Sequence, residues 1–223
     1  MDPLADDGDL EIAELVCAWM CHALAGSIGA VLNGLELLKE DPGLAAETVS
    51  LMDDSANAAS RRLKFFRAAL GRPGDRPVDA DAARRLLAEY LAASRSAAVA
   101  VQVDWLEGRD GAMMTPHVAQ VALGLGLVAS ECLPRDGRIT VRAAGKTIAV
   151  TATGQGARLD EATAAALALH RDGLGVRAVP AYFVARATRR LGGDLVLERA
   201  TDRIEMTASP LTPIPVDDGR QRI

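Results

Sequence analysis

The sequence predicts an α+β chain in which an N-terminal antiparallel helical hairpin precedes a small α/β sandwich. Three observations carry this. Two long stretches keep a helical apolar period and are parted only by Asp41-Pro42-Gly43. A Gly- and Pro-rich segment, Gly71 to Val78, then breaks the pattern. Beyond it, short strand-like runs pair across tight turns and alternate with helical segments, the signature of a mainly antiparallel sheet with helices on one face. The expected units are 1–74 (hairpin), 75–210 (sandwich) and 211–223 (a flexible tail).

The first helix is expected over 9–39, with Ile12, Leu15, Val16, Trp19, Met20, Leu24, Ile28, Val31, Leu32, Leu35 and Leu38 near a 3.6 period. Pro42 opposes helical geometry in the residue before it and ends the run. The second helix is expected from about 44 to 70, stopped by Gly71-Arg72-Pro73-Gly74. The first helix is apolar over a wider arc than one neighbour can cover. Two hairpins from two chains would cover it as a four-helix bundle, so a homodimer is expected; the other reading packs the hairpin on its own C-terminal domain.

In the second unit, 79–94 reads as a helix and 97–105 as a strand. The stretch 115–132 reads as a helix, with Thr115 as cap and Pro116 at its first position. A hairpin follows across Ala144-Gly145-Lys146. Helices at 160–170 and 180–191 and a last hairpin across Ala200-Thr201-Asp202 complete the chain.

Hydrophobic residues make up 49% and charged residues 25% of the chain, ordinary for a soluble domain, while aromatics at 3% leave an aliphatic core. The net charge of −5 argues against general nucleic-acid affinity. The acidic start, Met1 to Glu14, lacks the basic-then-apolar order of a signal peptide, and no stretch is expected to reach the roughly 18 apolar residues of a bilayer span. The expected setting is the cytoplasm. Cys17, Cys21 and Cys132 form no disulfide framework. Cys17 and Cys21 with His22 resemble part of a metal site, but no second ligand cluster accompanies them; free buried thiols and no metal are expected.

The candidate chemistry lies at His22. Its neighbours on one helix face are Ala18, Ala25, Gly26, Gly29 and Asn33, all small or modest. Interior helical glycines cost roughly 1 kcal/mol each against alanine. A compensating use is close approach of another surface to the imidazole, as a phosphoryl relay requires, because the partner aspartate is sunk in its own site. A neutral imidazole nitrogen is a nucleophile near pH 7. The second helix ends in Arg61-Arg62-Leu63-Lys64-Phe65-Phe66-Arg67, in the half of the hairpin that lies beside His22. Two readings stand for it: a cationic and aromatic docking patch containing Arg62 and Phe66, or core phenylalanines with cations favouring the helix C-terminus. His117 and His170 are expected to be cap or surface residues.

Two motifs, CHALAGSIGAVLNGLELL from Cys21 and RLKFFRAALG from Arg62, resemble those of the ChpT-like histidine phosphotransferase family of alphaproteobacteria. The resemblance implies a dimeric four-helix bundle followed by a degenerate histidine-kinase-like ATP-binding domain that no longer binds nucleotide. It implies that His22 carries the phosphoryl group between aspartates of response-regulator receiver domains, including that of a hybrid histidine kinase. The receiver would dock around His22, Gly26 and Asn33 and on Phe65, Phe66 and Arg67. No cofactor is implied, and Mg²⁺ is expected in the receiver. Two positions depart from the family pattern: Ala23 replaces its Asp and Ser27 its Pro. In kinases an acidic neighbour helps deprotonate the imidazole; transfer from an aspartyl phosphate needs this less. Ala23 keeps a second reading in play, a non-catalytic dimeric adaptor that binds receivers. Kinase ATP domains use a helical Asn and an Asp-x-Gly-x-Gly loop. Here the helix after Pro116 has no Asn, and the loop reads Thr153-Gly154-Gln155-Gly156-Ala157, so ATP binding is not expected.

Overall fold

The computed structural model of the chain describes residues 4–95, 99–107 and 113–212. Helix α1 spans Leu4–Glu40 and α2 Ala45–Ala69, joined by a 3₁₀ turn at Pro42–Leu44. The turn is tight because the Asp41 carboxylate accepts from the Gly43 N–H at 2.9 Å. The helices approach closely at Gly34, where a Cβ would stand 2.4 Å from Met52 Cγ.

After the linker come β1 (Val78–Asp79), α3 (Ala80–Ser94), β2 (Val101–Glu107), β3 (Met113–Met114) and α4 (Pro116–Glu131). Next are β4 (Gly137–Ala144), β5 (Thr147–Thr153), α5 (Glu161–Leu167), α6 (Val179–Arg190), β6 (Asp194–Ala200) and β7 (Arg203–Ser209). Side-chain caps start three of the helices: Asp79 accepts from Ala82 N, Thr115 from Val118 N and Asp160 from Thr163 N. The main sheet runs β2-β4-β5-β7-β6, with β2 and β4 parallel and every other pair antiparallel. Helices cover one face, onto which Ile139, Val141, Ile148, Val150, Ile204 and Met206 project. The other face carries polar side chains, including an Arg138–Asp104 ion pair and a Thr151–Glu205 hydrogen bond.

The α+β class and the element order are as expected. Several details differ: α1 begins at Leu4 rather than at 9, and α5 ends at Leu167 rather than at 170. The two-residue strands β1 and β3 are additional. The strand expected at 97–105 runs through 101–107, and residues 97 and 98 lie outside the described residues. The tail does not loosen at 211: Leu211 is buried, its N–H donates to Lys146 O, and that of Thr212 donates to Leu191 O. Residues 213–223 lie outside the described residues.

One continuous core joins hairpin and sandwich, running from Trp19, Phe65 and Phe66 through Tyr90 and α4 to the sheet. The near half of the hairpin therefore does pack on its own C-terminal domain. Two ion pairs add to this contact, Arg171 with Glu11 and Arg186 with Asp9. The far half has no such cover: Ile28 is 52%, Leu32 56% and Leu51 58% exposed.

The expectation that no stretch is apolar enough to span a bilayer is corrected. Within Gly8–Glu40 an 18-residue window has mean hydropathy 1.8, which suffices by length and composition, and 11% of it is buried. The cause is visible from Leu15 to Leu35, where His22, Ser27 and Asn33 supply polarity without formal charge. The same composition suits a helix that buries an apolar stripe against other helices.

Candidate functional site

His22 lies mid-way along α1 and is exposed. Ala18, Ala25, Gly26 and Asn33 on the same face are exposed too, and Gly29 is half-buried. A Cβ built at Gly26 or at Gly29 would meet nothing within 4 Å. Unlike Gly34, these two glycines are not required by packing within the chain. They leave the surface beside the imidazole low.

Arg62 sits elsewhere than a docking patch would need. Its half-buried guanidinium is used inside the chain, donating to Ala93 O at 2.6 Å, Ala23 O at 2.8 Å, Ser27 Oγ at 3.1 Å and Ser94 Oγ at 3.3 Å. One arginine thus ties α1, α2 and α3 together at the level of the residue after His22. Ser27, where the resembling family has proline, is buried and supplies one of the acceptors. Ser94 also hydrogen-bonds the Tyr90 hydroxyl, whose pKa burial pushes up to about 12. No sequence signal marked Tyr90, Ala93 and Ser94 as supports of the site, because they come from a third helix.

The phenylalanines are core. Phe65 is 0% and Phe66 1% exposed. Phe65 stacks on Tyr90 with ring centroids 4.1 Å apart, and Phe66 meets Trp19 edge-on at 4.8 Å. Their expected role as contact residues is therefore corrected. They fix the helices that present His22, and of the Phe-Phe-Arg run Arg67 alone is exposed. The pull on both rings is burial: an aromatic side chain at a three-helix junction removes more apolar area from water than any other residue available there.

His117, near the start of α4, is partly buried, with a pKa lowered by burial and then by Arg190. His170 is exposed just beyond α5. Neither joins His22. Cys132 is buried as expected, but Cys17 and Cys21 are exposed in the single chain, which corrects the expectation of buried thiols for those two. Among the described residues no group of His, Cys, Asp or Glu is placed to hold a metal.

Helix α4 packs tightly on α6. A Cβ at Gly124 of α4 would lie 2.8 Å from Val184 Cγ2 of α6, so these helices are in close contact. In the glycine loop, Gly154 N donates to Asp202 O at 3.0 Å and Gly156 N to the Asp202 carboxylate at 2.7 Å.

Residues 71–203 match the family described as histidine phosphotransferase C-terminal domain. The protein phosphotransferase ChpT of Brucella abortus (strain 2308) is 30% identical over 138 residues, 61% of this chain and 62% of that protein. The match thus spans less than two thirds of the relative's length. A solved structure of a bacterial phosphotransferase superposes with a TM-score of 0.76 at 24% identity, covering 90% of this chain and 96% of that one. The two share a fold across hairpin and sandwich together. The Acinetobacter baumannii histidine kinase AdeS aligns over 86% of this chain and 98% of that one, with a TM-score of 0.45 and 10% identity.

Proposed function

The chain belongs to the histidine phosphotransferase family, and from that premise we propose that it relays a phosphoryl group between aspartates of receiver domains through His22, without binding ATP. The observation that carries this is the exposed imidazole on a strip where Gly26 and Gly29 raise no side chain. A receiver's phosphoaspartate lies below its surface, so only a ring standing clear of its neighbours can enter.

In the first step an imidazole nitrogen lone pair of His22 attacks the phosphorus of the aspartyl phosphate. The N–P bond forms, the acyl-phosphate P–O bond breaks, and the carboxylate leaves with the electron pair. The reverse reaction on a second receiver returns His22 to its starting state. The receiver's Mg²⁺ neutralises phosphoryl charge; this chain contributes position. Asn33, about 16 Å further along α1, and Arg67 of α2 are polar contacts for the partner away from the ring, and Gly26 and Gly29 give it clearance.

The carrier works as a homodimer in the cytoplasm. Leu10, Cys17, Leu24, Val31 and Leu38 recur every seven residues on α1, with Cys21, Ile28 and Leu35 interleaved. A paired α1 and α2 from a second chain would bury this seam as a four-helix bundle. His22, one residue beyond Cys21, points about 100° away around the helix and stays outside the seam. The absent helical Asn and loop Asp support the reading without ATP.

A second reading, a non-catalytic adaptor that binds receivers, draws on Ala23, which removes the family's acidic neighbour. One experiment separates them. A receiver domain charged with radiolabelled phosphate is mixed with wild type or His22→Ala. Label should pass to wild type alone. A wild type that binds the receiver but takes no label establishes the adaptor, and equal labelling of both removes His22 as the carrier.

A further inference from the structure

Where α2 ends against α3 and α4, the chain forms an open pocket of about 510 Å³. Its floor is apolar, made by Val78, Leu86, Pro116 and Leu123. Three arginines, Arg67, Arg72 and Arg76, stand on its rim, with Asp75 the single acidic residue lining it. All three arginines are exposed, and none takes part in an ion pair among the described residues. The whole chain carries a net charge of −5, so this is a local inversion of sign. Several other arginines of the sandwich are ion-paired within the chain, among them Arg138, Arg171, Arg186, Arg189 and Arg203.

The pocket is also close to His22 along the bundle. Arg62 marks the level of Ala23 through its hydrogen bond. Arg67 is five residues further along the same helix, about 8 Å at 1.5 Å per residue. A standard interface of about 800 Å² per partner spans more than that distance. In axial distance the rim is therefore within reach of a domain docked on His22.

We propose that this pocket is a second contact for the receiver, taking an acidic segment that carries an apolar side chain. The inference rests on the receiver-docking reading above. Unpaired guanidinium groups offer bidentate donors to carboxylates, and the floor offers cover for the apolar part. Contacts at a charged rim act mainly on association rate and on salt dependence. The pocket would thus select among receivers by the charge of a segment outside their phosphorylation site.

The test uses the full chain and a receiver domain that exchanges phosphate with wild type. Its dissociation constant is measured by calorimetry at low and moderate salt for wild type, for Arg72→Glu/Arg76→Glu and for Ala82→Trp, which fills the pocket from an exposed position on α3. Each variant should weaken binding at least tenfold, and the charge reversal should flatten the salt dependence. Dissociation constants within twofold of wild type for both variants overturn the proposal. Weakening by the charge reversal alone overturns it too, since long-range attraction then accounts for the effect. Sedimentation equilibrium should give the same mass for all three chains; an altered mass with unchanged receiver binding assigns the pocket to a second copy of this chain and overturns it. A receiver that passes phosphate to wild type and binds both variants normally removes the pocket alone, whereas failure of wild type to bind any receiver removes the docking reading beneath it.

Discussion

The Arg62 guanidinium donates to the carbonyl of Ala23 at 2.8 Å, which couples α2 to the residue that follows His22. The same group also reaches Ser27, Ala93 and Ser94. Removing it takes the guanidinium donor from acceptors on two other helices, α1 and α3. Arg62→Ala should cost about 2–4 kcal/mol, since hydrogen bonds from a charged donor are worth roughly 1.5–3 kcal/mol and these act as a unit. Arg62→Lys should recover less than half of that, because an ammonium group cannot fork to acceptors on opposite sides. Urea denaturation followed by circular dichroism measures both, and a loss below about 0.5 kcal/mol for the alanine variant would show the network to be incidental.

Glycines on the same helix should respond in opposite ways. Gly34→Ala places a methyl group 2.4 Å from Met52 Cγ, so Met52 has to move aside and the hairpin should lose about 1 kcal/mol. Gly26→Ala meets nothing within 4 Å. It should stabilise the helix by about 0.5–1 kcal/mol while slowing phosphate transfer to His22. A more stable Gly26→Ala chain with undiminished transfer would mean that the low strip is not what the partner needs.

These contrasts mark what the sequence made legible. The helical period gave α1 and α2, and Asp41-Pro42-Gly43 gave the turn between them, because each depends on neighbours within a few residues. The β4–β5 turn was readable for the same reason: Gly145 takes φ +58°, which favours glycine. The β2–β4 parallel pairing was not readable, since it joins Val101 to Gly137 across α4. The strands β1 and β3 are two residues each and carry no period. At the site, His22 and its glycines could be found from local spacing. The burial of Phe65 and Phe66 could not, because it depends on Tyr90 in another helix.

That burial changes what substitution should do. Phe65→Ala and Phe66→Ala should each destabilise the fold by about 3–5 kcal/mol, the range for emptying a packed aromatic site. Phe65→Leu should cost less, since it keeps apolar volume while losing the stack on Tyr90. Thermal melts of the three variants provide the comparison. A Phe66→Ala chain that melts like wild type but binds receivers poorly would return Phe66 to the docking surface.

Thiol chemistry reads the dimer directly. Cys132 is buried, and burial, with Glu131 and Asp160 adding to it, pushes its thiol up to about 12. Since the thiolate is the reactive form, Cys132 should resist alkylation at pH 8 in any folded state. Cys17 and Cys21 are exposed in the single chain, on the stripe shared by Ile28 and Leu35. In a two-chain bundle they are covered, so their labelling should be slow at high protein concentration and quicken on dilution. Leu35→Glu sets two like charges against each other across the seam and should give a monomer in which Cys17 and Cys21 label rapidly while Cys132 does not. Mass spectrometry of peptides from timed labelling distinguishes the three positions. Rapid labelling of Cys17 and Cys21 in concentrated wild type would place the α1 stripe outside any interface, and the four-helix bundle would have to be abandoned.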